Sequence, residues 1–208
     1  MPGGSDLFLP YPATAQWMRR FKVQGREYSL FTLCAEAPSG VAPRELAARL
    51  REVLADNEWV IVVSECDLVP PEEVLLSPAM YAVRAMLSGS MISRWLEIEI
   101  LLYLLGDRNI RRVLPALTGK PGTCLGLICL TAGSPEALSE RIQGLLSREG
   151  FRVHECGVGW AARYADLLGL KRTEGQDLEE VVARTLRARA ALLALEAQRR
   201  SRRAAPPA

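Results

Sequence analysis

The chain has 208 residues, of which 49% are hydrophobic and 24% are charged, and its formal net charge is +2 at pH 7. This length and composition predict one soluble globular domain that is long enough to bury a core. The nearly balanced charge excludes no class of partner, because a local basic patch can lie within a neutral total. Of the 26 basic residues, 23 are arginine.

No segment predicts export or insertion into a membrane. The N-terminus lacks the basic start and the continuous apolar stretch of a signal peptide. The longest apolar run, residues 98–105, is interrupted by Glu99 and is too short to span a bilayer. We therefore expect a cytoplasmic protein without a membrane partner.

The first part of the chain predicts strands around one helix. Residues 1–15, rich in Pro and Gly, predict a flexible leader, and a single domain is expected over residues 16–198. Two strand-like runs, QWMRRFKV and EYSLFTLCAEA, are separated by residues 24–26 and predict a β-hairpin. Pro43 begins a helix that is expected to reach about Asn57. The run WVIVVSE that follows predicts a buried central strand.

The middle of the chain, over residues 72–117, is predicted to be mostly helical. Ser77 and Pro78 have the pattern of a capping residue followed by Pro, and they are expected to restart or kink the helix that runs to Leu87. A second helix is expected from Arg94 to Leu105, with Gly106 ending it. Asp107 is expected to cap the next helix, RNIRRVLPAL, which Pro115 should shorten.

The last part of the chain repeats the alternation of strand and helix. The run TCLGLICLTA predicts a second buried strand, and Ser134-Pro135-Glu136 begins a helix to about Arg148. A short strand, FRVHECG, precedes two helices at about 158–168 and 177–200, and residues 199–208 predict a basic, disordered tail. We therefore expect an α/β fold, with a mixed β-sheet packed with helices in a single domain.

The residues that carry out catalysis or bind metals in other proteins do not form a recognisable pattern here. GKPGT at 119–123 has Pro121 where a phosphate-binding loop needs Ser or Thr. The five cysteines show no C-x-x-C spacing, and His154 is the one histidine. We expect no enzyme, no cofactor and no metal site, and we expect the cysteines to be buried core thiols. One disulfide remains an alternative if the source is a hyperthermophile.

Glu99 is the most informative single residue. On a helix, an apolar collar surrounds it, with Trp95 and Tyr103 four residues away. A buried carboxylate must pair with a cation or with backbone donors, and Arg84 and Arg108 are the candidate cations. We predict that Glu99 is structural, forming a buried pair that locks two helices together; a direct contact with a ligand is the alternative.

The segment around Glu99 is similar to the signature of the TPRKB-like family, the PRPK-binding regulatory subunits of the KEOPS complex. In that family a Glu and an apolar run precede Gly-x-Arg-Gln-Ile. The matching positions here are Glu99, residues 100–105, Gly106, Arg108, Asn109 and Ile110. The order of strands and helices is similar over residues 28–197. Tyr81 stands where the family often has a lysine, and one residue is extra before Gly119.

The resemblance implies a non-catalytic subunit. Such a subunit would bind the kinase/ATPase subunit of KEOPS and recruit tRNA through its 3′ CCA end for threonylcarbamoylation of adenosine 37. A binder of a small metabolite is a competing interpretation, but no convergent polar pocket is visible in the sequence, so we expect no small-molecule substrate. Four arginines lie near the motif and are the predicted RNA contacts: Arg84, Arg94, Arg108 and Arg112. An α/β scaffold for protein interactions, without RNA binding, is the alternative.

The last predicted helix carries an apolar stripe at Val182, Leu186 and Leu193. Core packing and a partner-binding surface explain this stripe equally well. Because the family binds the kinase/ATPase subunit, we predict that these three residues contact that partner.

Overall fold

A computed structural model describes residues 18–171 and 175–204, with side chains in the last helix described as far as Arg199. The predicted leader, and the last four residues of the predicted tail, lie outside the described residues. In the parts of the chain that the structure covers, no helix is long and apolar enough to cross a membrane.

A sheet of five strands forms the centre of the domain. The strands are β1 Met18–Val23, β2 Arg26–Val41, β3 Glu58–Val63, β4 Gly122–Thr131 and β5 Arg152–His154. Their order is β1-β2-β4-β3, and β5 pairs with β2 beyond the end of β1. The buried strands β3 and β4 were both predicted from their continuous apolar runs.

Helices cover both faces of this sheet. They are α1 Pro43–Arg51, α2 Glu72–Leu87, α3 Leu96–Leu105, α4 Ile110–Thr118, α5 Pro135–Arg148, α6 Trp160–Leu168 and α7 Leu178–Ala204. Helices α1 and α5 pack on one face, around a core that contains Leu46, Leu50 and Ile142. The other helices pack on the opposite face, where the larger core lies. The predicted α/β domain with a helix-covered sheet is confirmed.

The strand pairs are all antiparallel within the described residues, whereas we expected a mixed sheet. The reason lies in the connection from β3 to β4, which contains three helices and returns the chain antiparallel beside β3. In one β-α-β unit, α1 joins β2 to β3, and these two strands lie on either side of β4. In the other unit, α5 joins β4 to β5, and these two strands lie on either side of β2. Two interleaved β-α-β units of this kind define a ferredoxin-like arrangement.

The β1–β2 hairpin has a two-residue turn. Gln24 has φ 50° and Gly25 has φ 79°, so both residues are in the left-handed region that a tight type I′ hairpin turn requires. The turn confirms the predicted hairpin and brings Gln24 next to the helices on the larger core.

The structure differs from the prediction at several helix ends. α1 ends at Arg51, short of the expected Asn57. α2 is continuous from Glu72 through Pro78, so Ser77-Pro78 is not a helix start; the double proline before Glu72 starts the helix instead. The side chain of Asn109, not that of Asp107, caps α4 by accepting a hydrogen bond from the amide of Arg111.

Two predicted helix terminations also fall short of the observed ends. α4 continues past Pro115 to Thr118. α7 continues to Ala204, into the segment that was predicted to be a disordered tail.

Candidate nucleic-acid interface

A cavity of about 330 Å³ lies where the β1–β2 turn meets α2, α3 and α7. Sites for small ligands in proteins have volumes of about 300–1,000 Å³, so this cavity is large enough for one planar ring system. Its polar lining comes from several elements: Gln24 of the turn, Tyr81 and Arg84 of α2, Ser88 and Ser90 of the following loop, Tyr103 of α3 and Gln198 of α7. Small alanine side chains, Ala85, Ala194 and Ala197, leave the space open.

Two tyrosines from different helices meet in this cavity. The ring centroids of Tyr81 and Tyr103 are 5.9 Å apart, and the ring planes are tilted by 40°. Burial raises the pKa of Tyr103 to about 12; the negative charge of Glu99 adds to this rise, and Arg108 opposes it. The phenol of Tyr103 is therefore neutral at physiological pH, and its ring adds no charge to the cavity wall.

Glu99 stabilises the loop between α2 and α3, which contributes Ser88 and Ser90 to the cavity. Its side chain is fully buried, as predicted. Its carboxylate accepts hydrogen bonds from the backbone amides of Ile92, at 3.0 Å, and Ser93, at 2.8 Å. These backbone donors, and neither Arg84 nor Arg108, are its hydrogen-bond partners among the described residues. Glu99 therefore fixes the loop between α2 and α3, and the predicted locking of two helices acts through this loop.

One of the four predicted RNA-binding arginines lines the cavity, and a second lies near its wall without lining it. Arg84 is exposed and lines it. Arg108 is half-buried, lies within electrostatic reach of Tyr103, and has a buried Nη1 atom without a hydrogen-bond partner. Because this Nη1 atom is buried, it is not open to a phosphate or a base, and Arg84 is the accessible cation of the two.

The other two arginines lie elsewhere. Arg94 is exposed in the loop before α3, and the neighbouring Trp95 is covered by the guanidinium of Arg51 at 5.7 Å from its ring centroid. Arg112 pairs with Asp107 at 3.3 Å, and both line a separate cavity of about 80 Å³. Neither Arg94 nor Arg112 lines the larger cavity.

Sequence reasoning missed the aromatic part of the site. Tyr81 was noted only as a departure from a family lysine, and Tyr103 only as a neighbour of Glu99 in the helix. The available signal was weak: Tyr81 lies one helical turn before Arg84, and Tyr103 one turn after Glu99, so each tyrosine shares a helix face with a residue that was already singled out.

Gly106 holds α3 against α7. It ends α3 in the left-handed conformation, with φ 58°, as its predicted structural role requires. A Cβ atom at this position would lie 2.9 Å from the carbonyl carbon of Arg189 in α7. The Nε atom of Arg189 donates a hydrogen bond of 2.8 Å to the carbonyl oxygen of Leu105. The close approach therefore depends on the missing side chain.

The predicted partner-binding stripe of α7 lies in the core. Val182 and Leu186 are fully buried and Leu193 is 3% exposed, so none of them is available to a partner in the folded chain. The prediction was wrong because α7 carries apolar side chains on more than one face. Among the described side chains of α7, the large apolar ones that are exposed are Leu192, 61% exposed, and Leu195, 52% exposed.

The cysteines also differ from the prediction. Cys34 is bonded to Cys156 and Cys66 to Cys124, while Cys129 is a free, buried thiol. Only Cys129 is the core thiol that was expected; burial raises its pKa well above the usual range. The ligand atoms of Cys66, Cys124 and His154 lie within 4.8 Å of one another, which makes these residues the candidate metal ligands of the described chain.

No protein-family model matches this chain, and no curated protein matches it either. The similarity to the TPRKB-like family therefore rests on the residues from Glu99 to Ile110 and on the order of the elements.

Proposed function

We propose that this chain is a non-catalytic, cytoplasmic subunit of a KEOPS complex, which binds the kinase/ATPase subunit and takes part in tRNA modification. In this proposal it recruits tRNA through the 3′ CCA end, so that the complex can form threonylcarbamoyladenosine at position 37. The observation that carries the proposal is the cavity lined by Tyr81, Arg84 and Tyr103, directly beside the family signature.

The chemistry of the cavity suits an unpaired nucleotide. Single-stranded RNA is bound by stacking its bases on aromatic or guanidinium planes and by pairing its phosphates with cations. Here Tyr81 supplies an aromatic face, and Arg84 supplies an exposed cation at the cavity wall. A base-paired stem is too wide for a cavity of about 330 Å³, whereas the unpaired CCA end offers single bases.

Replacing Arg84 with Glu should abolish the preference for tRNA that carries its CCA end. The substitution places a negative charge where a phosphate would lie. The measurement is the affinity for one tRNA with and without its terminal CCA, at one fixed salt concentration. Arg112→Glu is the matched control, because it makes the same change of charge in an exposed helical arginine outside the cavity. This control should lower the affinity for both forms of the tRNA equally and leave the preference for the form with the CCA end intact.

Two results would contradict this proposal. If the wild-type chain binds both forms of tRNA equally, the contact is electrostatic and does not involve the CCA end. If the chain binds no tRNA, the alternative of a scaffold without RNA binding replaces it.

We place the contact with the kinase/ATPase subunit at Leu192 and Leu195, because these are the exposed apolar side chains of α7. The double variant Leu192→Asp/Leu195→Asp should lose co-purification with that subunit, since charge then enters a desolvated contact. Its melting temperature should stay that of wild type, because both side chains are exposed. Val158→Asp is the control: Val158 is 90% exposed and lies outside α7, so co-purification should persist. Unchanged co-purification of the double variant would place the contact elsewhere.

A further inference from the structure

Four cysteines and the single histidine of the chain gather at one place in the sheet. In β2, Cys34 pairs with His154 of β5, and Glu36 pairs with Cys124 of β4. Cys66 lies in the 3₁₀ turn that follows β3, and the Sγ atom of Cys34 is 3.8 Å from its carbonyl oxygen. This cluster is separate from the cavity that carries the proposed function, because none of its residues lines that cavity.

The imidazole of His154 is oriented towards the sulfur of Cys124. Its Nε2 atom lies 3.4 Å from Cys124 Sγ, and its Nδ1 atom lies 2.9 Å from the carbonyl oxygen of Glu155. A carbonyl oxygen only accepts hydrogen bonds, so Nδ1 carries the proton in the neutral ring. The lone pair is then on Nε2 and points at the sulfur, which has no proton to donate while it is in a disulfide. Metal-binding histidines are commonly fixed in this way, with the second ring nitrogen bonded to a carbonyl.

We propose that Cys66, Cys124 and His154 bind one zinc ion when the Cys66–Cys124 disulfide is reduced. Two thiolates and an imidazole are the ligands that zinc prefers, and Cys₂His with a water molecule is a known zinc ligand set. Around a tetrahedral zinc ion with bonds of about 2.3 Å to sulfur, two ligand sulfurs lie about 3.8 Å apart. The three ligand atoms already lie within 4.8 Å of one another, which is close to the spacing that the site requires once the two sulfurs have separated.

The chemistry of the exchange balances. A dithiol reductant supplies two electrons and two protons, which convert the disulfide to two thiols, and the reductant becomes a disulfide. Zinc then displaces the two thiol protons, and the neutral imidazole of His154 binds without losing one. In a compartment whose thiols are kept reduced, the metal-bound form is the expected one.

The three side chains are accessible enough to solvent for the disulfide to be reduced and for a zinc ion to bind. Cys66, Cys124 and His154 are all half-buried, whereas the free thiol of Cys129 is fully buried. A zinc ion would therefore enter without unfolding of the sheet, and Cys129 would take no part.

The test is a zinc titration of the full, reduced chain. A phosphine reduces the disulfides and is itself oxidised to the phosphine oxide with the oxygen of water, and it is removed before zinc is added. Competition with a chromogenic chelator should give one zinc ion per reduced chain and none per oxidised chain. His154→Ala should weaken binding at least tenfold, since even indirect support of a metal ligand accounts for about 10–100-fold in affinity. The double variant Cys34→Ser/Cys156→Ser keeps all three ligands and should bind zinc as the wild type does.

A second measurement on the wild type does not depend on how the variants fold. Zinc should protect Cys66 and Cys124 from alkylation, located by mass spectrometry, and leave the half-buried Cys156 reactive. The proposal is overturned if the reduced chain binds no stoichiometric zinc, if His154→Ala binds as tightly as wild type, or if zinc protects Cys156 as well as it protects Cys66 and Cys124. Loss of zinc from the Cys34/Cys156 variant would equally overturn it, because the ligand set would then differ. None of these results depends on tRNA binding.

Discussion

Replacing Gly106 with Ala should lower the free energy of unfolding by about 2–5 kcal/mol. A residue with a side chain costs about 1–2 kcal/mol in the left-handed conformation that Gly106 adopts, with φ 58°. The added methyl group also meets the backbone of Arg189, which belongs to α7 and is not free to move like a side chain. Overpacking of this kind costs about 1–3 kcal/mol more. Denaturant unfolding measures the sum.

Gly89→Ala separates the two contributions. Gly89 follows α2 and has φ 64°, but a Cβ atom there would meet nothing within 4 Å. It should therefore cost only the conformational part, about 1–2 kcal/mol. Equal losses for the two variants would mean that α3 and α7 are not held in close contact at Gly106. The role of that glycine would then be conformational only.

Replacing Glu99 with Ala should destabilise the fold by about 3–5 kcal/mol. The carboxylate is fully buried, and its removal leaves the amides of Ile92 and Ser93 without their acceptor. Each hydrogen bond to a charged group contributes about 1.5–3 kcal/mol, and each unsatisfied buried amide is costly. The cost arises from these backbone donors, since Glu99 forms no ion pair with a cation of the described residues. Thermal and denaturant unfolding of the variant measure it.

Two variants control for this result. Glu99→Gln keeps the shape and one acceptor oxygen, so it should lose clearly less stability than Glu99→Ala. Glu97→Ala removes a half-buried carboxylate from the same turn of α3, and should change stability by no more than about 0.5 kcal/mol. If Glu99→Ala melted within a degree or two of wild type, the carboxylate would not support the loop.

The sequence predicted those turns, strands and helix ends that depend on interactions between residues close in the chain. The β1–β2 hairpin, the apolar runs of β3 and β4, the start of α5 at Ser134-Pro135 and the end of α3 at Gly106 all depend on residues close in the chain. The burial of Glu99 could also be predicted, because the collar of apolar residues lies within one turn on either side of it.

Features that depend on distant residues were not predictable in this way. Cys34 and Cys156 are 122 positions apart, and no spacing rule identifies such a pair. The direction of β4 relative to β3 depends on how three intervening helices return the chain. The cavity needed Tyr81 of α2 and Tyr103 of α3 to face each other, which no single helix pattern indicates. The face of α7 that packs inward was ambiguous for the same reason, since Leu192 and Leu193 are neighbours with opposite exposure.

The edge of β2 is covered by two short segments from opposite ends of the domain. β1 covers it from Arg26 to Phe31, and β5 covers it from Cys34 to Glu36. An uncovered strand edge is a template for pairing with another chain, which leads to strand exchange and aggregation. A chain interrupted before Arg152 would leave the apolar stretch around Cys34 and Ala35 with open backbone groups. The three residues of β5 therefore protect the sheet from self-association, a role out of proportion to their share of the core.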